Sequence, residues 1–524
     1  MTSRTAATNR SVGLARGVLD QVAGHQAVIV GLIALVFLVY GFELFNFNLT
    51  IDEEVHAFSL DPTIWVSQQR WGLYVLNRVL MPYTVVPVVP LAIGLTLHFL
   101  AVLVLLKAWN VVDAWEQFVV GALVIATPTM AYIYTFSTIA YGIGAGLFLS
   151  ALSLVLFQRG IGIRRYWAAV PAGFALGIYQ PFGLALVCVF VVYLIRSAAS
   201  EDVDRAEVAH MAGVGLVAIA IHLMATVIFM AALAEAGTEY VDQFIDLGLL
   251  FEQPLEVFRG IGSIAARVYG GGEAVFGHRV WALPLLLAAY FVSFAWRVAS
   301  SDRSPATRLL LLLLFPFVLV LPFLGGLFSG GYVALRFLVA VPFAVGGVTA
   351  IGWSPHRSAQ RILIVLAALV LLQFSASVNS LFGASHLALE QDRALGTRVI
   401  HQIELEMSEA PSNPRFLEIV GVPTRTSSEL VPRSETFGAS FFEWEQGNVY
   451  RIVFFLRTLG FDALNGLPVA ERGALVDIGS MMPVFPAPGS VVVERDVVIV
   501  KFGPYSQKQI SAICAASPEA GVCP

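Results

Sequence analysis

Long apolar runs, broken by short polar stretches, occupy the first 380 residues of the chain. Taking about 20 apolar residues for each crossing of the hydrocarbon core, the pattern predicts eleven spans. They lie near 28–47, 88–107, 117–135, 138–157, 166–178, 181–197, 209–233, 279–297, 309–327, 337–353 and 361–381. The fifth and sixth abut at Tyr179-Gln180-Pro181, where proline interrupts the backbone ladder and predicts a turn. Beyond residue 383 the pattern changes. Helix-like stretches (His386 to Met407, Val449 to Leu459) alternate with strand-like ones (Arg415 to Val420, Ser490 to Lys501), and VVVE and DVVIVKF flank Arg495 as a hairpin would. The expected organisation is an N-terminal tail (1–27), a helical membrane domain (28–382) and a C-terminal α/β domain (383–524), the last long enough for a core of its own.

Composition agrees with this division. The 524 residues are 57% hydrophobic and 13% charged, with mean hydropathy +0.78, against roughly 25% charged residues in soluble proteins. That implies a polytopic membrane protein. The first apolar run is long enough to be an uncleaved span and not the short core of a signal peptide. With the N-terminus cytoplasmic, fourteen Lys/Arg fall in inside segments against six (Arg70, Arg78, Arg259, Arg267, Arg279, Arg336) outside, which sets that orientation. An odd number of spans then places the tail outside the cytoplasm, where Cys514 and Cys523 are free to form a disulfide of modest stabilising effect. Cys188, inside a span, reads as a small apolar filler. No internal repeat is visible.

The first outer loop, 48–87, is the richest in chemistry. It opens NLTIDEEVHAF, with Asp52, Glu53 and Glu54 consecutive. Such crowding raises at least one carboxyl pKa, as a general base at neutral pH requires. Asp61-Pro62 is a helix start, and a helix from there to about Leu80 would place Ser67, Arg70, Tyr74, Asn77 and Arg78 on one arc, with Trp65, Gly72, Leu76 and Val79 opposite. That is an interfacial amphipathic helix. Guanidinium groups grip phosphate with a planar fork of donors, so a lipid-linked phosphate suits the arc. The simpler readings are boundary charges for the acids and interface snorkelling for the arginines. His98 and His222 fall within spans, where an ionisable group is a functional suspect, although a neutral His bonded to a neighbouring helix is the commoner case. His56 beside the acids leaves a divalent cation open as an alternative, but one His and adjacent acids do not define a site; no metal ligands and no cofactor are assigned. Gly270, Gly271 and Gly272, next to Arg267, read as a connector or as a mobile loop.

The acidic motif after a first span, then Trp65 and Arg70-Trp71, the TPTMAYIYTFS stretch at 127–137 and the GIYQPF stretch at 177–182 together resemble the glucosyl transferase GtrII family. The similarity covers roughly the first 380 residues, and GASFFEWEQGNVYRI at 438–452 also resembles the family's tail. One departure is that the family usually has Gly-Arg-Trp where this chain has Gln69-Arg70-Trp71, so a tight backbone feature is expected to be missing. The resemblance implies a GT-C-like membrane α-helical bundle with an extracytoplasmic C-terminal domain. It also implies an inverting transfer of a hexose, glucose by analogy, from a polyprenyl-phosphate donor to a surface glycan such as O antigen, at the outer face of a bacterial inner membrane. Asp52 and then Glu53 are the implied catalytic bases. Arg70, Arg336, Arg267 and Arg78 are the implied phosphate ligands, and Glu54, Trp71, Tyr74, Tyr179 and Gln180 would contact sugar or acceptor. Membrane lipid is an expected partner and nucleic acid is not. A flippase or transporter is the rival, and it would line a path across the midplane with polar groups; here they cluster at one face. A scaffold without catalysis would tolerate loss of the acids.

Overall fold

The computed structural model describes residues 25–58, 61–81, 85–200, 205–237, 246–424 and 433–523; most of the expected 1–27 tail lies outside them. The chain divides into two compact units, residues 1–47 with 61–380 and residues 48–60 with 381–524. The acidic segment, expected to open a loop of the membrane domain, thus folds with the tail.

Among the described residues, nine helices are long and apolar enough to cross a membrane. They are Gln26–Phe45, Val89–Ala108, Ala114–Tyr134, Ser137–Arg159, Phe182–Ala199, Arg205–Leu233, Ala282–Ala299, Pro305–Leu327 and Arg357–Glu409. The other two expected spans are shorter. A 3-10 stretch, Gly162–Ala168, leads into Ala169–Ile178, and the tenth is Val341–Gly352. At 1.5 Å per residue, helices of ten and twelve residues rise only about 15–18 Å against a core of roughly 30 Å. The short Val341–Gly352 leaves its last carbonyls inside the protein, and two guanidiniums meet them: Arg196 donates to Ala350 O and Arg297 to Ile351 O. Arg196 also pairs with Glu116 at 2.8 Å. Cations at a helix C-terminus both satisfy orphan carbonyls and oppose the dipole. Elsewhere, helix Val89–Ala108 crosses Ser137–Arg159 through two glycines: a Cβ on Gly144 would lie 2.2 Å from Gly94 O, so only small residues permit this approach.

The single helix expected over 61–80 is two helices, Thr63–Ser67 and Trp71–Leu80, hinged at Gln69 with φ 62°. The tight feature expected to be lost with the family's glycine is therefore present. Gln69 adopts the left-handed conformation at about 1–2 kcal/mol. The kink also rotates the expected arc: Ser67 and Asn77 are buried, whereas Val79 is 72% exposed.

Unit 2 is built on a four-stranded sheet in the order β2-β1-β4-β3. The strands are β1 (Phe416–Val420), β2 (Asn465–Gly466), β3 (Val491–Glu494) and β4 (Val497–Lys501). The hairpin about Arg495 forms, with Val491 opposite Val500 and Glu494 opposite Val497, and β1 runs parallel to β4. All five residues of β4 are buried, as a strand covered on both faces requires. One face packs Leu417, Ile419, Val498 and Val500 against Val399, Ile403, Phe442 and Phe455. The other packs Val420, Val497 and Ile499 against Leu467, Leu475 and Met482. Val399 and Ile403 come from the 53-residue helix Arg357–Glu409. Cys514 and Cys523 are joined by a disulfide, Cα to Cα 5.5 Å.

Glu418 on β1 is 1% exposed, and its Oε2 meets Arg472 Nε at 3.2 Å without hydrogen-bond alignment. Burial pushes its carboxyl up to about 7, with Arg472 pulling the other way. A carboxyl raised on folding stabilises the fold at low pH, and that contribution disappears as pH climbs through the folded-state value. The unfolding midpoint of the full chain in detergent is therefore expected to fall between about pH 5 and 8, with up to about 3 kcal/mol from Glu418. Glu418→Gln should flatten that part of the profile, and an unchanged slope would dismiss the assignment.

Candidate active site

In unit 2 the acidic segment makes one helical turn, Glu53–His56, entered through Asp52 at φ 76°. A left-handed Asp is strained, and such residues concentrate at functional sites. The three acids diverge. Glu53 turns inward, where its carboxylate accepts the Thr50 N–H at 3.1 Å. Asp52 and Glu54 both meet Arg451: Nη2 donates to Asp52 Oδ1 at 2.9 Å and Nη1 to Glu54 Oε1 at 2.7 Å. A third carboxylate, Glu445, accepts from Nη2 at 3.3 Å, and Lys508 lies 3.7 Å from its other oxygen. Glu54 has no exposed side-chain surface, Arg451 retains 18% and Asp52 56%. Asp52 is thus the most exposed of the three carboxylates on Arg451, ahead of Glu445 at 31%.

Electrostatics follow from this gradient of exposure. Burial pushes the Glu54 carboxyl up to about 7, with Arg451 opposing; its Oε2 is buried without a hydrogen-bond partner. Burial works against charge on Arg451, but Asp52 and Glu54 outweigh it and hold the guanidinium well above its ordinary value. Burial likewise opposes charge on Glu445, yet the Asn448 amide, Arg451 and Lys508 keep its carboxyl below the usual range.

Arg451 occupies the first turn of helix Val449–Thr458, capped by Asn448, whose side chain accepts from Tyr450 N. The loop before it holds three successive left-handed residues, Glu445 (φ 51°), Gln446 (φ 59°) and Gly447 (φ 88°). Strain of this kind persists only where surroundings enforce it. Here Ser506 Oγ donates to Gln446 O at 2.8 Å and Gln509 Nε2 to Gly447 O at 3.1 Å. Both belong to the capping box of helix Gln507–Ala516, the helix that carries the disulfide. Upstream, buried Asp392 accepts from Ser440 Oγ at 2.5 Å and Phe441 N at 2.7 Å, anchoring the start of the same loop.

Unit 1 gathers a second group. At the hinge, Arg70 lies with its guanidinium carbon 5.0 Å over the Tyr179 ring. Tyr179 OH donates to Arg336 O at 3.4 Å, and Gln180 Nε2 to Gln68 O at 2.9 Å. Trp71 anchors the hinge. Its Nε1 donates to His222 Nδ1 at 3.3 Å, its ring stacks on Phe229 at 5.7 Å, and it packs so closely on Gly177 that a Cβ there would come within 2.4 Å. His222 is accordingly a bonded intramembrane histidine. Arg70, Gln68, Tyr179 and Gln180 border a cavity of about 980 Å³ whose remaining walls are mostly apolar. Arg78 and Arg267, expected alongside Arg70, do not line it: Arg78 sits over the Tyr74 ring at 5.6 Å, and Arg267 is exposed in the last turn of Pro254–Tyr269. Tyr74 packs edge-on to Phe229. Arg336 does not line the cavity either; its guanidinium stands over Phe337 at 5.7 Å. Among the described residues no group of three or more His, Cys, Asp or Glu is arranged to hold a metal ion.

Sequence reasoning missed Arg451, Glu445 and Asp392. The first two lie inside the GASFFEWEQGNVYRI stretch, whose likeness to the family's tail was the available signal. The family model for glucosyl transferase GtrII matches residues 41–390, so the chain belongs to that family and is a glycosyltransferase by membership. The matched range contains Asp52 to Glu54, Arg70, Trp71, Tyr179, Gln180 and Arg336, and ends before Glu445 and Arg451. Comparison with curated proteins and with solved structures returned no match.

Removing Arg451 leaves Glu54 buried opposite nothing. Arg451→Met should destabilise the fold by about 2–4 kcal/mol, at the low end where Glu54 can take up a proton. Combined with Glu54→Gln the losses should fall short of their sum by about 1–3 kcal/mol in a double-mutant cycle on chemical unfolding. Strict additivity would mean that the pair does not interact.

Proposed function

We propose that the protein is an inverting glucosyltransferase that moves glucose from a polyprenyl-phosphate donor to a cell-surface glycan such as O antigen, at the outer face of a bacterial inner membrane, with its N-terminus cytoplasmic. The observation that carries the donor assignment is the pairing of a large, mostly apolar cavity with Arg70 at its polar end. An anionic head on an apolar tail has that profile, and a free nucleotide sugar does not.

Asp52 takes the proton from an acceptor hydroxyl. The oxygen attacks the anomeric carbon from the face opposite the phosphate, the bond from that carbon to the phosphate oxygen breaks, and polyprenyl phosphate leaves. Inversion follows from the single displacement. Arg70 is the first candidate to stabilise the charge developing on the phosphate, with Arg336 behind it, while Tyr179 and Gln180 bind the sugar. Glu54, Glu445 and Arg451 position Asp52. The accessible Asp52 is the better candidate for the base than Glu53, whose carboxylate is turned to the Thr50 amide.

Purified protein incubated with radiolabelled polyprenyl-phosphate glucose and crude surface glycan should transfer label. Asp52→Asn should slow the transfer by about a hundredfold to ten-thousandfold, and Arg70→Met by about a hundredfold. Transfer by Asp52→Asn at the parent rate would remove Asp52 as base. Failure with every donor and glycan would favour a flippase.

A further inference from the structure

We propose that the cavity of unit 1 measures the lipid tail of the donor, engaging about its first four isoprene units, so that donors with shorter tails bind less well. The inference rests on the reading above that the donor is a polyprenyl phosphate.

Among the described residues, the polar lining is concentrated at one end of the cavity. Gln68, Arg70, Gln180 and Tyr332 lie there, and the walls leading away come from helices Phe182–Ser200 and Arg205–Leu233. At the far end the only hydroxyl among the described lining residues, that of Ser153, is already committed to Ala168 O at 2.9 Å. A sugar in this bore would lose hydrogen bonds to water and find none in exchange; a hydrocarbon tail loses nothing.

Two independent rulers give the depth. Along the first helix the lining runs from Pro181, beside Gln180, to Leu194, thirteen residues and about 20 Å at the α-helical rise. On the second, the Trp71 to His222 hydrogen bond marks the level of the Arg70 hinge, and the lining extends to Val208, fourteen residues and about 21 Å. A peptide residue of three backbone atoms extends about 3.5 Å, so an isoprene unit of four chain carbons extends roughly 4.5 Å by similar bond lengths. A bore of about 20 Å then accommodates roughly four units. Beyond that point the tail is in bulk lipid.

The energetic consequence is modest. A tail outside the bore is already among hydrocarbon chains, so entering it gains packing and not hydrophobic transfer. The expected effect is about a tenfold difference in KM, far below the loss that exposure to water would cause.

The test is a series of polyprenyl-phosphate glucose donors with two, three, four, seven and eleven isoprene units, assayed for transfer in mixed micelles. Donor is expressed as mole fraction, so that partition into the micelle drops out. KM should fall about tenfold from two units to four and then stay level to eleven. Gly215 lines the bore about 10 Å from the His222 level, and an added Cβ there meets no atom within 4 Å. Gly215→Phe should therefore raise the KM for the four-unit donor and bring the ratio of two-unit to four-unit KM towards one. Its unfolding midpoint should hold, since glycine is the poorer helix former. A KM independent of tail length, one that keeps falling to eleven units, or an unchanged ratio in Gly215→Phe would overturn the proposal while leaving the donor class intact. Transfer from none of the donors would overturn the donor class and this proposal together.

Discussion

One guanidinium organises unit 2. Arg451 is shared by Asp52 and Glu54 from the segment after the first helix and by Glu445 from the loop before its own helix, so residues nearly 400 apart in sequence are held by one charge. Three carboxylates could not be gathered at this distance without a cation between them. The contact also explains why residues 48–60 fold with the tail: beyond the ion pairs, Leu49 packs against the unit 2 core and Phe58 against Phe454.

The cost of that arrangement is distributed. Glu54 is buried enough that its charge is disfavoured near neutral pH even with an arginine beside it, and the backbone is left-handed at Asp52 and through 445–447. Buried Asp392, the Ser506/Gln509 capping box and the disulfide of the last helix sit around the strained loop and constrain it. A short acidic motif thus draws on much of a domain of about 140 residues for its geometry.

Unit 1 follows a different logic. Several of its described polar groups are matched: two arginines close the end of a short helix, His222 accepts from Trp71, and Gln180 is tied to the hinge backbone. Left over is a cavity with an arginine at one end and hydrocarbon walls beyond. The Trp71 ring against Gly177 and Phe229 sets the hinge, and the hinge sets Arg70. The Arg-Trp pair visible in the sequence is therefore a cation together with the aromatic wedge that aims it.

Much was legible in the chain itself. Apolar length set the membrane class, since a run of about 20 residues has no better environment than lipid. Alternation and turn residues located the β3–β4 hairpin, whose side-chain period is local. The acids, Arg70, Tyr179 and Gln180 stood out because charge and hydrogen-bonding capacity at the end of an apolar run are conspicuous in one dimension. Helix lengths at 169–178 and 341–352, the kink at Gln69, the buried side of Trp71–Leu80 and the partnership of Asp52 and Glu54 with Arg451 were decided only in three dimensions. Each depends on what lies across from a residue, and a sequence records neighbours along the chain, not the burial and opposing charge that long-range packing supplies.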